Sequence, residues 1–193
     1  QKGILFIMNL PNKLTLLRVF MVPLFLVFAL INSIPGNYFW ALAIFAIASL
    51  TDALDGHIAR KNNLVTNFGK FLDPLADKVL VMAALLCFVE LKFVGCIPVI
   101  IILAREFMVT ALRLVASGNV VIAAGIWGKL KTAFTMIAII FIFLLQGFAG
   151  AGINLGFNIN IAGEIAIWIA TALTVISGVQ YLWAYRSFID TTK

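Results

Sequence analysis

Long apolar runs separated by short polar breaks organise this chain from end to end. Six runs stand out, at Leu14–Ile31, Tyr38–Ala59, Lys70–Val94, Ile97–Ala116, Lys129–Gly147 and Ile161–Tyr185. Each is close to the roughly 20 residues that a helix, rising about 1.5 Å per residue, needs to cross a hydrocarbon core about 30 Å thick. A transmembrane β-barrel would instead show alternating segments of about ten residues, and these runs are unbroken. The pattern predicts an all-α polytopic membrane protein with six transmembrane helices. The breaks fit that reading. Pro11-Asn12 makes an entry turn, and Pro35-Gly36-Asn37 makes a tight turn that sets the first two spans side by side and antiparallel. A polar turn from Asn62 to Asn67 joins the second and third spans. With no long polar linker and no repeat, residues 1–193 read as a single integral membrane domain. Met8 reads as a natural start, with Gln1–Ile7 ahead of it an added or juxtamembrane segment.

Charge orients the spans. The formal net charge is +6, but the basic residues sit between spans, which argues for membrane topology and against nucleic acid as a partner. Lys2, Lys13 and Arg18 lie at the start, Arg60, Lys61 and Lys70 between the second and third spans, Arg113, Lys129 and Lys131 around the fourth-to-fifth connection, and Arg186 and Lys193 at the end. Asn32–Asn37 and Phe148–Gly163 hold no Lys or Arg, and Glu90–Cys96 holds only Lys92. Because cytoplasmic loops carry the excess of Lys and Arg, both termini are expected in the cytoplasm of a multi-pass cell-membrane protein. Tyr38 and Trp40 at one level, and Tyr181, Trp183 and Tyr185 at the other, suit interfacial belts. Cys87 and Cys96 lack metal spacing and read as packing residues.

Against this apolar background, four of the eight acidic residues fall between Asp52 and Asp77. Carboxylates at membrane depth are costly and are paired, metal-bound or hydrated. At 100° per residue, Asp52, Asp55, Gly56 and Ala59 share a face of the second span, with Arg60 at its edge, while Gly69, Asp73 and Asp77 form a row on the third. The intervening turn makes the two rows descend together from the cytoplasmic surface. Four carboxylates in one pocket repel one another unless cations join them. Two divalent ions held by oxygen ligands alone suit Mg²⁺, Mn²⁺ or Ca²⁺ over zinc, with Mg²⁺ or Mn²⁺ the expected ions, and such a pair is a known device for phosphoryl displacement. Gly56 and Gly69 leave room for a bulky ligand, and Arg60 offers a planar fork to phosphate.

The spacing D-x2-D-G-x2-A-R-x8-G-x3-D-x3-D, met by Asp52, Asp55, Gly56, Ala59, Arg60, Gly69, Asp73 and Asp77, resembles the signature of the CDP-alcohol phosphotransferase family. The resemblance implies that family's six-helix membrane fold and a CDP-linked lipid as donor. It implies Asp52, Asp55, Asp73 and Asp77 as ligands of two divalent metals, with Asp52, Gly56, Ala59, Arg60, Gly69 and Asp73 at the nucleotide and diphosphate. It also implies CMP as leaving group, Asp77 as general base toward the acceptor hydroxyl, and a homodimer. Ala41, Ala43, Ala46 and Ala48 offer a small-residue surface for such a contact.

Arg105, Glu106 and Arg113 fall within one arc of the fourth span, where Glu106 and Arg113 nearly coincide in projection and are expected to pair, leaving Arg105 freer. Lys129 and Lys131 open the fifth span about 200° apart, so at most one should face a pocket directly. Arg105, Arg113, Lys129 and Lys131 are the candidates for an acceptor phosphate. The stretches Asn9–Arg18, Ala104–Arg113 and Gly128–Thr132 are similar to the branch of the family that joins sn-glycerol 3-phosphate to CDP-diacylglycerol, giving phosphatidylglycerol phosphate and CMP. Rival readings are a cardiolipin synthase or a phosphatidylinositol-phosphate synthase within the family and, outside it, a cation transporter. Plainer roles are also open: a salt bridge for Arg105, Glu106 and Arg113, and membrane anchoring for Lys129 and Lys131. Arg18, with Asn12 and Thr15, would bind nucleotide or serve as a cap and interface residue. His57 reads as interfacial, and Gly147, Gly150 and Gly152 as a loop and helix end.

Overall fold

The computed structural model describes residues 10–61, 67–116, 125–184 and 186, with side chains other than those of residues 10–12, 14, 52–61, 67–77 and 114–116. Among the described residues there are six helices and no strands: α1 (Leu10–Leu30), α2 (Asn37–Lys61), α3 (Asn67–Glu90), α4 (Cys96–Ala116), α5 (Ile126–Gly150) and α6 (Ile159–Ala184). Each overlaps one expected span. Two of them, α5 and α6, are long and apolar enough to cross a membrane, and the stretches Thr15–Leu30 of α1 and Asn37–Thr51 of α2 are shorter apolar segments. Hydroxyls along these helices bond inward to their own backbone, as apolar surroundings demand. Ser49 Oγ donates to the Phe45 carbonyl at 2.8 Å, Thr171 to Ile167 at 2.8 Å and Thr174 to Ala170 at 2.7 Å. The expectation for Gln1–Ile7 lies outside the described residues.

The chain divides into two compact units. The first holds residues 1–87 and 143–156. Its centre is the α1–α2 hairpin, turned at Pro35-Gly36, where Gly36 takes φ +65°, a conformation that a side chain disfavours. Asn37 Nδ2 and Tyr38 Oη both donate to Asn32 Oδ1 across this turn. Phe25 packs on Phe45 with ring centroids 6.2 Å apart and meets Phe143 edge-on at 5.7 Å. Such contacts stabilise by close packing and dispersion. Ala41 and Ala48 are fully buried, so the alanine surface expected to meet a second copy is half used within the chain, because small residues also let neighbouring helices approach.

Gly147 marks a close approach within the same unit. A Cβ there would stand 2.7 Å from Phe39 Cε1, and Phe39 in turn meets Phe148 edge-on at 5.5 Å. Gly147 lies in the last turn of α5 and Gly150 closes that helix, as the sequence reading of a helix end expects, while Gly152, at φ +78°, belongs to the turn beyond. Gly147→Ala should destabilise the fold by about 1–3 kcal/mol, the usual cost of overpacking. A lower melting temperature in detergent, partly recovered by Phe39→Leu in the same chain, would check this.

The second unit holds residues 88–142 and 157–193. Three points of contact set the directions of α4 and α6. Gly95 N donates to Glu164 Oε2 at 2.8 Å, Arg105 Nη2 to Ser177 Oγ at 2.7 Å, and Arg113 Nε to Tyr181 Oη at 3.2 Å. Both partners advance together along their helices, so α4 and α6 are parallel. Helix α5 runs against both, since Lys131 near its start meets Glu106, whereas Ile142 lies beside Gly163 at the start of α6. Asn158 caps α6, its Oδ1 accepting from Asn160 N at 3.0 Å and Ile161 N at 3.2 Å, which satisfies donors that helix geometry leaves open. Cys87 is buried as expected, but Cys96 is exposed at the first residue of α4.

Candidate active site

Helix ends carry the acidic signature. Asp52, Asp55, Gly56, Ala59 and Arg60 occupy the last turns of α2, and Gly69, Asp73 and Asp77 the first turns of α3, all within the first unit. Their backbone is helical on both sides, so the i, i+3, i+4 spacing assumed from sequence holds locally. Their side chains, and that of His57, lie outside the described residues, as does the convergence of the four carboxylates. Among the described residues, no group of three or more His, Cys, Asp or Glu could hold a metal. Carboxylate oxygens are the donor set in the window, and hard divalent cations are what such a set takes.

The hairpin brings α1 to the level of the window. Residues of α1 and α2 whose numbers add to about 70 stand opposite one another, as Asn32 with Tyr38 and Phe25 with Phe45 show. Carried down the pair of helices, that register puts Arg18 level with Asp52 and Thr15 level with Asp55. Arg18 and Thr15 are each 1 % exposed. A cation enclosed to that degree is no surface anchor, so the interfacial reading of Arg18 is corrected by its burial.

The basic residues expected at an acceptor phosphate gather in the second unit. Arg105 is 8 % exposed, and its side chain lies over Gly178, where a Cβ would stand 3.0 Å from Arg105 Cγ. Its Nη2 donates to Ser177 and its Nη1 pairs with Glu106 Oε1 at 3.4 Å. The same oxygen of Glu106 receives the ammonium of Lys131 from α5. Arg113 bonds the Tyr181 hydroxyl and also stands 5.6 Å above that ring, a cation–π geometry. The expected Glu106–Arg113 pair is therefore replaced by Glu106–Lys131 and Arg113–Tyr181. Residues seven apart nearly coincide in projection but are separated by two turns, about 10 Å along the axis. Arg105 is not the freer of the two arginines. Lys129 and Lys131 do diverge, with Lys129 exposed and Lys131 turned to α4.

Sequence reasoning missed Ser177 and Gly178, and it placed Tyr181 in an interfacial belt, whereas Tyr181 is buried against Arg113. Together with Thr171 and Thr174 they lie on the buried face of α6, and the spacing 171, 174, 178, 181 was the available signal.

A match to the family model described as CDP-alcohol phosphatidyltransferase covers residues 8–176, and the chain belongs to that family. Among its relatives is a protein of Bacillus subtilis (strain 168) named CDP-diacylglycerol--glycerol-3-phosphate 3-phosphatidyltransferase, 43% identical over 185 residues that cover 90% of this chain and 93% of that protein. A protein of the same name from Rickettsia typhi is 41% identical over 181 residues, 93% of this chain and 98% of its own length. A Mycobacterium tuberculosis (strain CDC 1551 / Oshkosh) protein named probable phosphatidylglycerophosphate synthase is 40% identical over 184 residues, 91% of this chain and 81% of that protein.

Proposed function

We propose that this chain transfers the phosphatidyl group of CDP-diacylglycerol to sn-glycerol 3-phosphate, giving phosphatidylglycerol phosphate and CMP. The observation that carries this reading is the complete aspartate signature on two successive helix ends, in a chain whose relatives bear that enzyme's name over nearly their whole length.

Arg60, with Gly56, Ala59 and Gly69, receives the nucleotide and its diphosphate, where a planar guanidinium can take two phosphate oxygens at once. Asp52, Asp55, Asp73 and Asp77 would hold two divalent cations, Mg²⁺ or Mn²⁺, which when bound would supply charge neutralisation to the diphosphate. Asp77 takes the proton from the acceptor hydroxyl. That oxygen forms a bond to the phosphorus carrying the diacylglycerol, the bond from this phosphorus to the CMP oxygen breaks, and CMP departs in line. Arg105, Arg113 and Lys131 hold the phosphate of the acceptor, and exposed Lys129 favours its approach.

The same reading places the chain in the cell membrane as one integral transferase domain with all six helices crossing and both termini cytoplasmic. The alternation of α4, α5 and α6, with Arg113 in the last turn of α4 and Lys129 and Lys131 in the first turns of α5, supports this. It also includes a homodimer, for which exposed Ala43 is better placed than Ala41 or Ala48. CMP release from CDP-diacylglycerol should be clearly faster with sn-glycerol 3-phosphate than with phosphatidylglycerol or inositol phosphate. Preference for either of the other two acceptors would reassign the chain to another branch of the family.

A further inference from the structure

We propose that Glu106 is a positioning residue for the acceptor, holding Lys131 and Arg105 through one carboxylate oxygen as a preset seat for a phosphate monoester. The inference rests on the proposed transfer to sn-glycerol 3-phosphate and goes beyond it in assigning a task to an acidic residue at an anion site.

Successive helix residues point about 100° apart, so α4 can serve two neighbours from adjacent positions. Arg105 turns to α6, where Ser177 and Gly178 receive it. Glu106 turns to α5 and meets Lys131. Arg105 is thus held from two sides, by Ser177 and by Glu106, and its course across Gly178 leaves it little freedom. Lys131 differs, because a lysine is a point charge on a flexible stem of four carbons. Its contact with Glu106 draws that charge toward α4 and offsets its repulsion from the arginines. Three cations with one anion leave two positive charges, which suits a phosphate monoester carrying close to two negative charges at neutral pH.

Glu106→Gln keeps the side chain's size and removes its charge. KM for sn-glycerol 3-phosphate should rise about tenfold, a loss of about 1.4 kcal/mol, with kcat and KM for CDP-diacylglycerol within about twofold. Protection against thermal unfolding by sn-glycerol 3-phosphate alone should weaken in parallel. Adding Glu106→Gln to Lys131→Met should raise KM little beyond Lys131→Met alone, since residues acting through one another are not additive. An unchanged KM, fully additive penalties, or equal losses toward both substrates would overturn the proposal. Should the Gln variant not fold, Glu106→Asp decides the case: it keeps the charge but shortens the reach, and a KM increase confined to the acceptor supports the role while an unchanged KM removes it. If the wild-type chain releases no CMP with sn-glycerol 3-phosphate, the functional reading fails as a whole. Normal wild-type turnover with an unaffected Glu106→Gln KM defeats the positioning role alone.

Discussion

Asp77→Asn should lower CMP release from CDP-diacylglycerol and sn-glycerol 3-phosphate by about 10²–10⁴-fold, the range that loss of a general base produces. The change is nearly isosteric, and an amide cannot accept the acceptor's proton. It also takes one anionic oxygen from the proposed metal ligands, so its effect combines two losses. Substrate binding separates them. If Asp77 serves chiefly as base, CDP-diacylglycerol should still raise the melting temperature of the variant in the presence of Mg²⁺, because Asp52, Asp55, Asp73 and Arg60 remain on the same helix ends. Turnover near the wild-type rate would remove Asp77 from the reaction.

Chelation should have an effect of similar size. An excess of EDTA is expected to stop CMP release, and added Mg²⁺ or Mn²⁺ to restore it, because the four carboxylates brought to the α2 and α3 ends need cations as much as the diphosphate does. The readout is not confined to activity. A ligand present at 100 times its dissociation constant stabilises the folded state by about 2.7 kcal/mol, and for a chain of this size each kcal/mol corresponds to roughly 2–4 °C. The melting temperature should therefore fall on chelation and recover with the ions. A chelated protein with full turnover would end the two-metal reading.

Each of the six helices among the described residues was legible in the sequence as an apolar run between polar breaks, although only α5 and α6 are long and apolar enough to cross a membrane. Their starts were less so. Helix α1 begins at Leu10 rather than Leu14, α3 at Asn67 rather than Lys70, and α5 at Ile126 rather than Lys129. Hydropathy reports where a chain can enter hydrocarbon, and a helix extends past that point through polar residues such as Asn12 and Lys13. The acidic signature stood out in the sequence because its residue types are expensive in such a chain, while the side chains that would form the site lie outside the described residues.

Pairing was less legible. A helical projection discards rise, which is why Glu106 and Arg113 looked like partners. Partner choice also depends on which neighbouring helix supplies the counterpart: Lys131 comes from α5 and Tyr181 from α6, and a single span cannot announce either. Ser177 and Gly178 were silent for a different reason. Small residues in an apolar run are read as packing, although in this fold they seat the long side chain of Arg105. Among the alanines of α2, composition alone could not separate Ala41 and Ala48, which are enclosed, from exposed Ala43.

The donor signature belongs to one compact unit, whereas Arg105, Arg113 and Lys131 belong to the other. With the proposed roles, recognition of the activated lipid and selection of its incoming alcohol are written in separate stretches of chain. A lineage could then exchange one alcohol for another by editing the inner faces of α4 and α6 and the first turns of α5, while the nucleotide-handling half stayed as it was. Such a division lets one catalytic core yield different headgroups.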